Sequence, residues 1–291
     1  MTLHNIIKKI FKKPKQFLRL LLKEIDSRIH RVRYEENLIL ELIENLYEKQ
    51  KKITIVQIGA YKGFSSNDYI NRFITKHCNT ERYSKTNGIF ILLIEPVKHI
   101  FNELLENYKN YYSIVFENSA VAETCGEKKF YMLNNEINLS EMGMPEWLDQ
   151  LGSLLPERIE KLWENYEGNT IYQKFLRENT IVKNVMCVTF DELIDKYNLK
   201  EIDLLQIDTE GYDYKILSSI NFEKIRPKYI NYERVLLQKE ESACRNLMLL
   251  KNYRIHDHGQ DSLCTLDYNI SRFSRIINWI YNNYILLKYI I

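Results

Sequence analysis

The hydrophobic positions of this chain change period at about residue 52. Before that point they recur at helical spacing. Ile6, Ile7, Ile10 and Phe11 share a face beside Lys8, Lys9, Lys12 and Lys13, Pro14 interrupts, and Leu and Ile resume over about 16–48. From Lys52 onward, short β-branched runs alternate with helical patterns. Strands are predicted at Ile53–Ile58, Ile89–Ile94, 112–116, 203–207 and 229–232, with helices at 64–76, 97–108, 191–197, 212–220 and 240–250. The segment 128–133 reads as a short hairpin partner, and 254–256 and 262–266 as closing strands. Most of these runs are apolar throughout instead of alternating, which predicts a largely parallel α/β sheet covered on both faces.

Two stretches break the rhythm. Residues 134–184 carry helix-prone pieces with Trp147, Trp163 and Tyr166 and are too long for an ordinary connection, so they read as an insertion forming a lid or substrate wall. Residues 271–291 place Phe273, Ile276, Ile280, Tyr284, Leu287 and Ile291 on one helical face, suited to packing on the body or on a second copy in a homo-oligomer. The chain therefore divides into a basic helical extension (1–50), a main domain (51–270, with 134–184 as a helical insertion) and an amphipathic C-terminal helix (271–291).

Charge sharpens this division. The net charge of +2 hides a segment, residues 1–33, with ten Lys or Arg against Glu24 and Asp26, leaving the remainder at −6. A basic arm on a mildly acidic body suits covering the sheet with a solvated face, or peripheral contact with an anionic membrane surface or an acidic partner. It argues against nucleic acid as a partner, since no basic-aromatic stripe crosses the body. Cys78, Cys125, Cys187, Cys244 and Cys264 are dispersed and include no CxxC pair, which fits a reducing compartment. Arg19 and Lys23 break up the apolar Phe17–Leu22 stretch, so no secretory leader is read and a cytoplasmic location is expected.

Three strand ends carry candidate chemistry. Val56-Gln57-Ile58-Gly59-Ala60-Tyr61-Lys62-Gly63 puts one glycine at the end of the first strand and another four residues on, a spacing for a tight turn and close ligand approach. It lacks GxGxxG, which disfavours a dinucleotide. Glu95 ends the second strand, where a carboxylate can accept both hydroxyl hydrogens of a ribose, or simply start the next helix. Ile207-Asp208-Thr209-Glu210-Gly211-Tyr212-Asp213 delivers three acids to the crevice beyond a buried strand, and a cationic ligand would offset their repulsion. Asp208 could also act as a helix N-cap.

These motifs resemble those of the FkbM-type methyltransferases, whose hallmark is a strand ending in Ile-Asp-x-Glu-Gly, here Ile207–Gly211. Val56–Ala60, Gly63, Asn67-Asp68 and Ile94-Glu95-Pro96 match the opening motifs, and Pro145–Ser153 resembles a segment of one branch. Tyr229–Glu233, Asn252-Tyr253 and Gly259–Asp261 resemble the closing strands. The resemblance, covering about 53–266, implies a Rossmann-like class I methyltransferase fold with a seven-stranded, mostly parallel sheet. It also implies S-adenosylmethionine as cofactor and O-methylation of a sugar or other polyhydroxyl acceptor, a small molecule or glycan. Cofactor contacts are then expected at Gln57, Gly59, Ala60, Gly63, Asp68, Glu95, Ser119 and Asp208. Glu210, Glu233 and Asp208 are the catalytic candidates, Glu210 or Glu233 as base, with His256 and His258 as other bases. Trp147, Asp149, Gln150, Ser153 and His256 are expected to meet the acceptor. A divalent metal on Asp208, Glu210 and Asp261 is compatible with the oxygen donors, though no spacing demands it.

The first loop departs from the family pattern Gly-Ala-Asn-Asp-Gly, since Tyr61 and Lys62 replace the amide and the acid. That departure leaves open a second class of function: a binding protein on a degraded methyltransferase scaffold, acting through its basic arm.

Overall fold

The computed structural model describes residues 35–63, 68–78, 88–156, 158 and 170–266. The basic arm 1–33, Trp163, Tyr166 and the C-terminal helix 271–291 lie outside the described residues.

The chain enters through α1 (Glu35–Gln50) and then alternates: β1 (Ile53–Ile58), α2 (Tyr69–His77), β2 (Ile89–Ile94), α3 (Lys98–Tyr108), β3 (Ile114–Glu117). A second set follows: β4 (Ala120–Val121), β5 (Gly126–Leu133), β6 (Gly152–Ser153), α4 (Thr170–Asn179) and β7 (Thr180–Val188). The alternation resumes with α5 (Phe190–Lys196), β8 (Leu204–Ile207), α6 (Asp213–Ser219), β9 (Tyr229–Glu233), α7 (Glu241–Leu250), β10 (Arg254–His258) and β11 (Asp261–Thr265). Seven strands form one sheet in the order β10-β11-β9-β8-β1-β2-β3. The pairs β9–β8–β1–β2–β3 are parallel, whereas β11 runs antiparallel to both β9 and β10.

Burial explains why the parallel strands read as unbroken apolar runs. Ile53 and Ile55 of β1, Ile91 and Leu93 of β2 and Leu204 of β8 face a core closed by α1, α2 and α3 through Ile39, Phe73 and Leu104. Val56, Ile58, Leu92, Ile94, Leu205 and Ile207 face the opposite core, closed by α5, α6 and α7 through Phe190, Ile216 and Met248. Each strand residue is therefore covered by a helix on one side or the other. Local signals fix several helix starts. Thr189 and Glu192 form a reciprocal capping box at α5, and Asp68 caps α2 by accepting from the Ile70 and Asn71 amides.

The segment 134–184 differs from its expected all-helical form. Its last residues belong to β7, which pairs antiparallel with all of β5, from Gly126↔Cys187 to Leu133↔Thr180. A four-stranded second sheet, β4-β7-β5-β6, results. The sequence hides β7 because Val182 and Met186 are exposed on its outer face while Lys183 and Asn184 stand side by side, so no clean period of two is visible. The insertion proper thus bridges two paired strands. A 3-10 turn, Glu146–Gln150, seats Leu148 and Leu151 in a small core with Leu133, Phe175 and Leu176.

Candidate active site

The carboxyl ends of β1, β2 and β8 open onto one hollow, lined among others by Gly59, Tyr61, Glu95, Ser119, Asp149, Asp208 and Glu210. The position follows from topology: open α/β sheets leave a crevice beyond the strand ends, where the connections diverge to opposite faces. Phe130 and Met132 of β5 and residues 149–152 and 154 of the insertion roof it.

The two glycines of the first loop serve packing. Gly59 has φ +84, and a Cβ there would lie 1.8 Å from the Asp208 carbonyl oxygen. It therefore lets the tips of β1 and β8 pass in contact, held by an Asp208 N–H to Ile58 carbonyl bond of 2.9 Å. A Cβ on Gly63 (φ +67) would strike the Tyr108 ring at 2.2 Å and Leu104 at 2.6 Å. Tyr61 between them also lies in the left-handed region, φ 48, where a bulky residue is strained.

Glu95 is 5% exposed, its Oε1 accepting from the Val97 amide (2.8 Å) and its Oε2 from the Tyr61 amide (3.0 Å). Burial pushes its carboxyl up to about 7, with those two backbone bonds pulling the other way. Asp208 faces the hollow, where water reaches it although protein encircles it, and this environment holds its carboxyl well above the usual range. Desolvation is the largest cause, followed by Glu210, Asp213, Asp261 and Asp68. Glu233, at the tip of β9, is pushed up to about 10 by burial and then by Asp208, Glu210 and Asp213, against the pull of Arg158. Asp213 is fully buried and structural: it accepts from Thr209 Oγ1 (2.8 Å) and from the Glu233 amide (3.2 Å).

The hollow is thus a concentration of carboxylates answered in part by Arg158, which donates from Nε (3.2 Å) and Nη2 (2.8 Å) to Glu210. A ligand bearing positive charge fits such a donor set, because it would relieve the mutual repulsion. Sequence and geometry then point the same way. The model of the methyltransferase FkbM domain matches residues 57–280.

This chain belongs to the FkbM methyltransferase family. Its fold is that of the class I S-adenosylmethionine-dependent methyltransferases. No curated protein sequence matches it. Among solved structures it is similar to a ribosomal protein L11 methylase from Lactobacillus delbrueckii subsp. bulgaricus, at 8% identity and TM-score 0.36, covering 81% of this chain and 77% of that one. It is also similar to Aeropyrum pernix fibrillarin, crystallised with natively bound S-adenosyl-L-methionine, at 9% identity and TM-score 0.35, covering 78% and 73%.

Within this methyltransferase the expected cofactor residues separate. Gly59, Glu95, Ser119 and Asp208 line the hollow, while Gln57, Ala60, Gly63 and Asp68 lie outside its lining. Asp68 caps α2 and is approached by the Gln57 side chain, so it is committed to holding the loop. Of the catalytic candidates, Asp208 and Glu210 line the hollow, Glu210 paired with Arg158, whereas Glu233 at the tip of β9 lies outside its lining. Of the acceptor candidates, Asp149 and Gln150 reach the hollow. Ser153 instead donates to the Thr209 and Glu210 carbonyls, and Trp147 stays on the outside of its turn, 44% exposed.

His256 lies on β10, separated from β8 by β9 and β11, and is not brought to the hollow. His258 is held neutral, its pKa lowered to about 4 mainly by burial, with Nε2 2.8 Å from Asn231 Oδ1. Asp208, Glu210 and Asp261 do not come together as a metal triad. Asp261 accepts from Asn231 (2.8 Å) and Glu210 from Arg158, and among the described residues no group of three His, Cys, Asp or Glu is placed to hold a metal. Arg158, Tyr61 and the roof residues Phe130 and Met132 escaped sequence reasoning. Arg158 stands in no motif, and Tyr61 was visible only as a departure from the family loop.

Proposed function

We propose that this chain transfers a methyl group from S-adenosylmethionine to a hydroxyl oxygen of a sugar or another polyhydroxyl acceptor. The observation that carries the reading is the crowding of Glu95, Asp208, Glu210 and Glu233 at the ends of neighbouring strands, with Asp208 open to the hollow.

When bound, the cofactor supplies an activated methyl group on a positively charged sulfur. Each Glu95 oxygen is anchored by one backbone amide and keeps a lone pair, so the carboxylate can accept from a ribose diol without reorienting. Asp208 and Glu210 set a negative potential at the opposite wall. Burial, and after it the neighbouring Asp208, Glu210 and Asp213, favour the protonated form of Glu233 in the cation-free site. A positive charge nearby would release that proton, and an acceptor reaching the β9 tip beside the hollow would then meet a carboxylate able to take its hydroxyl proton, whereas Glu210 is engaged by Arg158. Gln150 at the rim offers hydrogen bonds suited to acceptor hydroxyls.

Calorimetry tests the cofactor site. Asp208→Asn and Glu95→Ala should each weaken S-adenosylmethionine binding about tenfold or more, and wild-type affinity in both overturns the assignment. Radiolabelled cofactor with a panel of sugars, nucleotide-sugars and glycan extracts tests the acceptor class. Tight cofactor binding with no transfer to any of them would rule out the polyhydroxyl reading.

A further inference from the structure

The insertion is fastened to the sheet at two points. At one, Ser153 donates to the Thr209 and Glu210 carbonyls and Arg158 pairs with Glu210. At the other, Tyr61 OH donates to the Asp149 carboxylate and Lys62 Nζ lies 3.4 Å from the same oxygen. Asp149 and its neighbours therefore stand across the hollow, directly over the loop that joins β1 to α2. With both fastenings made, Asp149, Gln150 and Leu151 of the insertion line the same hollow as Gly59 and Tyr61 of the β1 loop. A nucleoside-sized ligand entering over that loop has to pass between them, and for that one fastening has to open.

The second is the one built to do so. Ser153 and Arg158 are buried, at 1% and 7% exposure, and tied to the backbone and carboxylate of the acidic corner. The Asp149 side chain is 42% exposed, so its carboxylate rehydrates readily when released. Lys62 does not lose its neutralisation, since Glu103 holds it independently at 3.2 Å. Tyr61 is held in the left-handed region while its amide is fixed to Glu95 and its hydroxyl to Asp149, which stores strain in the same connection. Glu95, Tyr61 and Asp149 thus form a continuous link from the expected ribose contact to the roof.

We propose that Asp149 is a positioning residue that latches the insertion onto the β1 loop through Tyr61 and Lys62, and that this latch opens to admit the cofactor and recloses to form the acceptor wall. The proposal rests on the reading of the hollow as the cofactor site. It assigns Tyr61 and Lys62 a working role in a methyltransferase instead of marking a degraded loop. It also moves Asp149 from direct contact with the acceptor to control of the roof.

Asp149→Ala and Tyr61→Phe test the latch by two measurements. Hydrogen–deuterium exchange of the ligand-free protein should show the Leu148 and Leu151 amides exchanging severalfold faster in both variants, while amides of β8 and β9 stay unchanged. Surface-immobilised protein titrated with S-adenosylmethionine should show association and dissociation both about threefold to tenfold faster, with Kd altered less than either rate. Simple loss of structure would instead slow association and speed dissociation. Asp149→Glu should bring both rates back toward wild type. Unchanged exchange, or unchanged rates where the wild type binds normally, overturns the latch. Absence of cofactor binding by the wild type overturns the reading of the hollow, and with it the gate, and is a different result from unchanged rates.

Discussion

Replacing Gly59 by alanine probes the joint on which the site depends. Its φ of +84 lies where an L-residue costs about 1–2 kcal/mol, whatever surrounds it. The steric contribution comes on top. The new Cβ would sit 1.8 Å from the Asp208 carbonyl oxygen, and essentially no real Cβ approaches closer than 3.0 Å, so the tips of β1 and β8 must separate by more than 1 Å. That movement strains the Asp208 N–H to Ile58 carbonyl bond (2.9 Å) and the bonds from the Gly59 and Ala60 amides to the Ile94 carbonyl (3.0 and 2.9 Å). Losing one or two of these adds about 1–3 kcal/mol, for a total of about 2–5 kcal/mol. Gly126 provides the control, since its φ is +108 but nothing lies within 4 Å of a Cβ there. Gly126→Ala should cost only the conformational part, about 1–2 kcal/mol. Urea denaturation followed by circular dichroism measures both, and heating should show Gly59→Ala melting roughly 5–10 °C below Gly126→Ala. Equal stabilities for the two variants would refute the claim that Gly59 is required by contact between strand tips.

The acids of the site predict a pH dependence of definite sign. Glu95 (about 7) and Glu233 (about 10) have folded-state values raised above the ordinary 4.5, so the folded protein holds protons that the unfolded chain has released. Stability should therefore fall as pH rises from about 5 to 9, and a melting temperature that climbs across this range contradicts the shifts. Binding a cationic cofactor should release protons, so calorimetric enthalpies in buffers of different ionisation heat should diverge with that sign; identical enthalpies would mean no linkage. Arg158→Ala leaves the half-buried Glu210 unpaired near Asp208 and Glu233 and should destabilise by about 2–4 kcal/mol. In the double variant with Glu210→Gln much of that loss should return, and strict additivity in chemical denaturation would show that the pair is not coupled. Glu233→Gln should lower turnover far more than cofactor affinity, and equal effects on both would remove it as the base.

Much of the parallel sheet was legible because its strands are buried on both faces. Runs such as Ile91-Leu92-Leu93-Ile94 stay apolar whichever neighbour they meet, and the acids and glycines that end them mark where the runs reach the crevice. The second sheet was not legible, because β7 exposes Val182 and Met186 and owes its conformation to an eight-residue pairing with β5. Within the site, Glu95 and Asp208 were visible as acids at strand tips. Their uses differ from those of Asp68 and Ser153, which look equally suitable in sequence but are taken up by a helix cap and by backbone carbonyls.

The sequence alone determined the order of strands and helices in the main sheet, the family and the acidic character of the crevice, because burial period and strand-end chemistry are local properties. Only the tertiary structure decided which of those acids share a hollow, that Gly59 answers to the Asp208 carbonyl, and that Tyr61, Asp149 and Arg158 fasten the roof. Those pairings join residues far apart in the chain, and contacts of that range leave no periodic trace in sequence.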